Sequence, residues 1–243
     1  MTAAPIRVAM WSGPRNISTA MMRAFENRSD TAVIDEPFYA VYLDRTGLDH
    51  PLREEVLRAG PTEPARAIDG LLGPVPDARA IFYQKHMTQH MLPDIDRGWM
   101  AACRNVFLIR TPDAVLASYV AKRSDVALED IGFTQQAELF DQVADRLGRA
   151  PPVIDGADVL DDPRGALTRL CAALGFPFDD AMLSWPAGPR ATDGVWAPAW
   201  YDAVERSTGF APPRDEPAAL PAALQSIADT ARPHYDRLAR YRI

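Results

Sequence analysis

Arg15, Ser18 and Thr19 stand close together just after Gly13 and Pro14, and side chains of these types at this spacing can hold an anion. They belong to the run Ser12-Gly13-Pro14-Arg15-Asn16-Ile17-Ser18-Thr19, which follows an apolar strand from Ile6 to Trp11 and opens a helix. The first amides of a helix have no intrahelical acceptor and carry partial positive charge. Arg15, Ser18 and Thr19 add side-chain donors there, whereas Pro14 has no N–H to offer. A phosphate or sulfate group is the expected occupant. The loop does not fit the ATP-binding pattern G-x-x-x-x-G-K-S/T. Laid from Gly13, that pattern puts Ser18 at the second Gly, Thr19 at the Lys and Ala20 at the magnesium-binding hydroxyl.

A second anion-type element follows another strand. Asn105-Val106-Phe107-Leu108-Ile109 ends at Arg110, and Thr111-Pro112-Asp113 then opens a helix carrying Ser118, Tyr119 and Lys122. Open α/β sheets bind ligands at the C-terminal ends of their strands. Arg110 and Ser118 can therefore converge on one anion, and a doubly phosphorylated ligand can span both strand ends.

The elements that must position these groups are legible as an alternation. Short apolar runs at Ile6 to Trp11, Thr31 to Asp35, Ala80 to His86, Asn105 to Ile109 and Pro152 to Asp155 read as buried parallel strands. Helical stretches lie between them: from the first loop to about Asn27, from Thr111 with Pro112 at its first position, from Thr134 to Leu147, and from Pro163 to Leu174. The fold class is α/β, a P-loop-type parallel sheet flanked by helices. Proline-rich Leu43 to Pro76 reads as a helical insertion. Trp185 to Pro217, rich in Pro, Gly and Trp, reads as a C-terminal region capping a site, and Pro217 to Ile243 as a broken helix.

Composition narrows the options. The 243 residues are 47% hydrophobic, enough for one α/β domain over residues 1–243. A net charge of −7 argues against nucleic acid as the main partner. Cys103 and Cys171 sit in apolar segments without metal-type spacing, so reduced core cysteines are expected. No run approaches the length of a membrane span and no signal peptide is apparent, giving an expectation of a soluble, cytoplasmic protein. Asp141, Asp145, Asp161 and Asp162 form no metal-type cluster, and no metal is expected. A homodimer is one option for an oligomeric state that stays open.

The two anion elements resemble those of the sulfotransferases that use 3′-phosphoadenosine-5′-phosphosulfate (PAPS). Their 5′-phosphosulfate loop has the flavour P-K/R-S-G-T-T, which Pro14-Arg15-Asn16-Ile17-Ser18-Thr19 is similar to, with Asn16 and Ile17 as departures. Their 3′-phosphate element is an Arg at a strand end with a Ser eight residues on, as at Arg110 and Ser118. Gly188-Pro189-Arg190 through Asp193-Gly194-Val195-Trp196 looks like the loop that closes over the nucleotide. Asp35-Glu36-Pro37-Phe38-Tyr39, Lys85-His86-Met87, Phe133-Thr134-Gln135-Gln136 and Trp185 to Phe210 further resemble a bacterial branch of the family with related plant sequences. The resemblance implies PAPS as co-substrate without a metal, a hydroxyl or amine of a small molecule as acceptor, and a nucleotide held by Gly13, Arg15, Asn16, Ile17, Ser18, Thr19, Arg110, Ser118, Arg190 and Trp196. Relatives that stack a Trp on adenine place it where this chain has Ala20, so Trp196 or Trp200 is the expected substitute. A P-loop phosphotransferase, or a non-catalytic relative of the fold, is the alternative.

Sulfuryl transfer asks for a cation at the bridging oxygen and a base for the acceptor's proton. Arg15 supplies the first, electrostatically only. For the base, His86 and Glu36 both lie at strand ends, His86 having the more suitable ordinary pKa. Lys85 is a candidate support for the sulfate oxygens. Adjacent strand residues point to opposite faces, however, so Lys85 and His86 cannot both face the site.

Overall fold

Alternation along the strands decides what each face of the sheet carries. In a computed structural model, which describes residues 4–120, 126–212 and 220–243, the strands are β1 (Ile6–Ser12), β2 (Thr31–Asp35), β3 (Ile81–Met87), β4 (Arg104–Ile109) and β5 (Val153–Asp155). They form one parallel sheet in the order β2-β3-β1-β4-β5. Val8 and Met10 of β1 share a core with Val33, Tyr83, Val106 and Leu108, while Ala9 and Trp11 share the other with Phe107 and Ile109. Both faces are therefore apolar, which is why the strands read as continuous rather than alternating hydrophobic runs.

The helices are α1 (Ser18–Glu26), α2 (Tyr39–Thr46), α3 (Arg53–Ala59), α4 (Pro64–Leu72), α5 (Pro112–Val120), α6 (Phe133–Leu147), α7 (Gly156–Asp161), α8 (Pro163–Ala173), α9 (Ala197–Trp200), α10 (Asp202–Glu205) and α11 (Ala222–Ala239). α1 and α8 cover the first core, and α6 the second. The helical insertion begins earlier than expected, because α2 starts at Tyr39, before the proline-rich stretch. The C-terminal helix is not broken at Pro233, which lies inside α11. Its missing N–H is tolerated because the same helix buries Ala228, Ala231 and Leu238. Lys122 and residues 217–219 lie outside the described residues.

The order of strands places the site. From β1 the chain crosses to β2, on one side, and from β4 to β5, on the other. β1 and β4 are neighbours, so their tips part at a topological switch point, where such sheets open a crevice.

Candidate active site

The loops after β1 and β4 meet at that crevice. Arg15 Nε donates to Ser118 Oγ at 3.1 Å, and an Arg110 Nη donates to the Arg15 carbonyl at 2.5 Å. The two anion elements thus form one cationic junction. Arg15 sits at φ 57°, in the left-handed region; for a non-glycine residue this costs about 1–3 kcal/mol and is held by its surroundings. Burial pushes the Arg15 guanidinium down from its ordinary value, with Tyr119 and Asp202 opposing. Among the described residues no side chain caps the N-terminus of α1, whose first residue is Ser18. Asn16 is occupied within the loop: its Nδ2 donates to the Leu108 carbonyl at 3.3 Å and its Oδ1 accepts from the Ile17 amide at 2.8 Å.

A cavity of about 760 Å³ runs from this junction to the tips of β2 and β3. Pro14 to Ala20, Arg110 and Ser118 line one end, and Glu36, Lys85 and His90 line another part. At the second place, Lys85 Nζ donates to Asp35 Oδ1 at 2.8 Å, to Glu36 Oε1 at 2.5 Å and to the Tyr201 hydroxyl at 2.9 Å. The Tyr201 hydroxyl donates to Asp35 Oδ2 at 2.7 Å and accepts from the Trp196 indole at 3.1 Å. Burial opposes charge on Lys85, but Asp35 and Glu36 outweigh it and hold its pKa well above the ordinary value. Burial raises the Glu36 carboxyl above the usual carboxylate range; Lys85 pulls it back and Asp35 adds to the rise. Like Arg15, Glu36 has positive φ, at 39°.

Over residues 6–240 the chain matches the sulfotransferase-domain family. It belongs to that family. An Arabidopsis thaliana protein named "Branched-chain-amino-acid aminotransferase-like protein 1" is 35% identical over 237 residues, which make up 97% of this chain and 42% of that protein. This chain therefore spans less than half of that relative's length. Among solved structures, the sulfotransferase domain of the Synechococcus PCC 7002 olefin synthase matches with TM-score 0.55 at 20% identity, covering 94% of this chain and 95% of that one. A sulfotransferase from Alicyclobacillus acidocaldarius matches with TM-score 0.55 at 13% identity, covering 98% and 96%. The parallel sheet flanked by helices is the fold of these structures.

In this sulfotransferase-domain chain, the expected site residues separate into those lining the cavity and those elsewhere. Arg15, Asn16, Ile17, Ser18, Thr19, Glu36, Arg110, Ser118 and Trp196 line it. His86 does not. The register pairs Met10 with Lys85 and Trp11 with His86, so the pleat turns the imidazole to the opposite core. There it stacks on Trp11 at 4.4 Å, 1% exposed, with burial pushing its pKa down to about 3. His86 is corrected from candidate base to core residue. Arg190 is likewise outside the cavity lining: its guanidinium donates to the Pro186 carbonyl at 3.3 Å and its amide to Asp193 at 2.7 Å. Asp193 in turn pairs with Arg23 at 2.7 Å, fastening the loop before Trp196 onto α1. Gly13 packs against the backbone of residue 131, where an added Cβ would meet the Ile131 carbonyl oxygen at 2.7 Å. Phe38, close to Glu36 in the chain, packs near His86 and Trp99 and does not line the cavity. Lys85, expected to face sulfate oxygens, is taken up by Asp35 and Glu36. Tyr201 and His90 also line the cavity. Nothing local marks Tyr201, whose partner Asp35 is 166 positions away.

Proposed function

We propose that this chain transfers a sulfuryl group from PAPS to a hydroxyl or amine of a small molecule. The observation that carries the reading is the cationic junction of Arg15, Arg110 and Ser118 sharing one cavity with Glu36. An anion is at home at an uncapped helix N-terminus beside two guanidinium groups, and an ionisable carboxylate across the same cavity can take a proton.

PAPS supplies the activated sulfuryl group and a bisphosphate leaving group. The N-terminus of α1, with Ser18 and Thr19, orients the 5′-phosphate, and Arg110 with Ser118 takes the 3′-phosphate. Arg15 stabilises negative charge that grows on the bridging oxygen; being permanently cationic, it works without proton transfer. Glu36 accepts the acceptor's proton, and Lys85 keeps that carboxylate in place. His86 faces the opposite core, away from the cavity. Ala20, Leu160 and Phe210 also line the cavity. Trp196 falls on the Glu36 side, edge-on to Tyr39 at 5.1 Å.

Thermal unfolding tests the reading. Adenosine 3′,5′-bisphosphate should raise the melting temperature without magnesium, and Arg110→Ala should abolish the shift while leaving a cooperative transition. No shift with that nucleotide, together with a magnesium-dependent shift with ATP, would replace sulfuryl transfer by phosphoryl chemistry. Turnover of PAPS on a panel of acceptors separates an enzyme from a non-catalytic relative.

A further inference from the structure

Past Glu36 the cavity continues into an arm walled by Tyr39, Tyr42, His50, His90, Trp196 and Trp200. His90, 3% exposed, lies between two phenol rings: Tyr39 stacks on it at 4.7 Å and 8°, Tyr42 at 4.7 Å and 28°. The sandwich fixes the imidazole plane. Among the described residues its Nδ1 has no hydrogen-bond partner, and it stands 4.0 Å from Glu36 Oε2. A buried polar atom left unpaired costs about 1–3 kcal/mol, so native structures usually satisfy such atoms. At hydrogen-bond lengths of about 2.8 Å, one oxygen can reach both sides of that gap. The nearby cation, Lys85, is already held by Asp35, Glu36 and Tyr201. Flat apolar walls, one carboxylate and one imidazole nitrogen are what this arm offers a ligand.

We propose that this arm takes an uncharged aromatic alcohol whose hydroxyl bridges Glu36 Oε2 and His90 Nδ1, and that His90 is the residue selecting for it. The inference rests on the sulfotransferase reading above. The hydroxyl accepts from Nδ1–H and donates to Glu36, which leaves one oxygen lone pair free. That pair forms the new oxygen–sulfur bond as the sulfur–oxygen bond to the 5′-phosphate breaks. The proton passes to Glu36 and the bonding electrons leave with the phosphate. An aromatic hydroxyl suits this base, because phenols such as tyrosine ionise near pH ~10, far below aliphatic alcohols. An anionic acceptor would meet Asp35 and Glu36, and a protonated amine has no lone pair to attack with.

The test measures binding as well as turnover, on the full chain loaded with adenosine 3′,5′-bisphosphate. Naphthol, naphthoate and cyclohexylamine are the probes. Naphthol should bind most tightly and be the one sulfated from PAPS. His90→Phe keeps the aromatic sandwich and removes the nitrogen, so it should weaken naphthol binding about three- to tenfold, the worth of one hydrogen bond. His90→Asn, which restores an N–H near the same place, should recover most of that loss. The bisphosphate dissociation constant should stay within about twofold in both variants, a split that general loosening of the fold would not give. Equal or tighter binding of naphthoate or cyclohexylamine to the unsubstituted chain overturns the inference, as does wild-type naphthol affinity in His90→Phe. Either result leaves the donor reading standing. Failure of the bisphosphate itself to bind overturns the donor reading, and this inference with it.

Discussion

Lys85 ties together the charged groups on the Glu36 side of the cavity. It is 1% exposed and faces two carboxylates and a phenol hydroxyl. Removing one partner of a buried ionic group leaves uncompensated charge, which costs about 3–5 kcal/mol. Lys85→Met should lower the free energy of denaturant unfolding by about that much, and a loss under ~1 kcal/mol would contradict the charge arrangement described here. Glu36→Gln should cost about 10²- to 10⁴-fold in turnover, the usual worth of a general base, while bisphosphate affinity is retained. Burial raises the Glu36 carboxyl in the folded chain, so turnover should climb with pH along a limb above the usual carboxylate range. Stability should move the other way. The folded state holds this proton more tightly than the unfolded chain does, so stability present at low pH declines as pH rises through the folded value. Glu36→Gln should flatten that slope in unfolding measured across acid pH. Which of Lys85 and His86 faces the cavity was not legible in the sequence, because the pleat's parity depends on the register against β1. Glu36 stood out as a carboxylate at a strand end, but Tyr201, which joins Lys85 and Asp35 beside it, did not.

At the scale of elements, the switch point between β1 and β4 needs something to join the two strands where they part. Gln136 of α6 does this: its Nε2 donates to the Trp11 carbonyl at 3.2 Å and to the Leu108 carbonyl at 2.9 Å. Gln136→Leu leaves two buried carbonyls without that donor and should cost about 1–3 kcal/mol. Because those carbonyls lie near the ends of the strands that lead into the loops carrying Arg15 and Arg110, bisphosphate affinity should fall as well; unchanged affinity would mean the loops hold their positions independently of the strand tips. α7 braces the same loop, since a Cβ at Gly156 would come within 2.7 Å of Asn16 Oδ1. The strands were legible because buried parallel strands are short apolar runs. The helices after β1 and β4 were legible because an anion loop and an Xaa-Pro start announce them. α7 was not: six residues directly after a strand are too few to show a period. Pro233 misled for the opposite reason, since local chemistry argued for a break that packing against the sheet overrides.

For the whole molecule, the sign of its charge and that of its expected ligand are the same. The chain carries a net charge of −7, yet the cavity mouth between β1 and β4 presents Arg15 and Arg110. Long-range repulsion and short-range attraction therefore act on one anionic nucleotide, and salt separates them. The Debye length shrinks from about 30 Å at 0.01 M salt to about 8 Å at 0.15 M, which screens the distant acidic surface before it screens contacts inside a half-buried pocket. The association rate constant of adenosine 3′,5′-bisphosphate should thus hold steady or rise over that range. The dissociation rate constant should rise as well, because the guanidinium contacts weaken. Stopped-flow mixing at several salt concentrations gives both. A steep fall in the association rate with added salt would instead mean that the local cationic field reaches well beyond the cavity mouth, and that the acidic surface is arranged away from the path of approach.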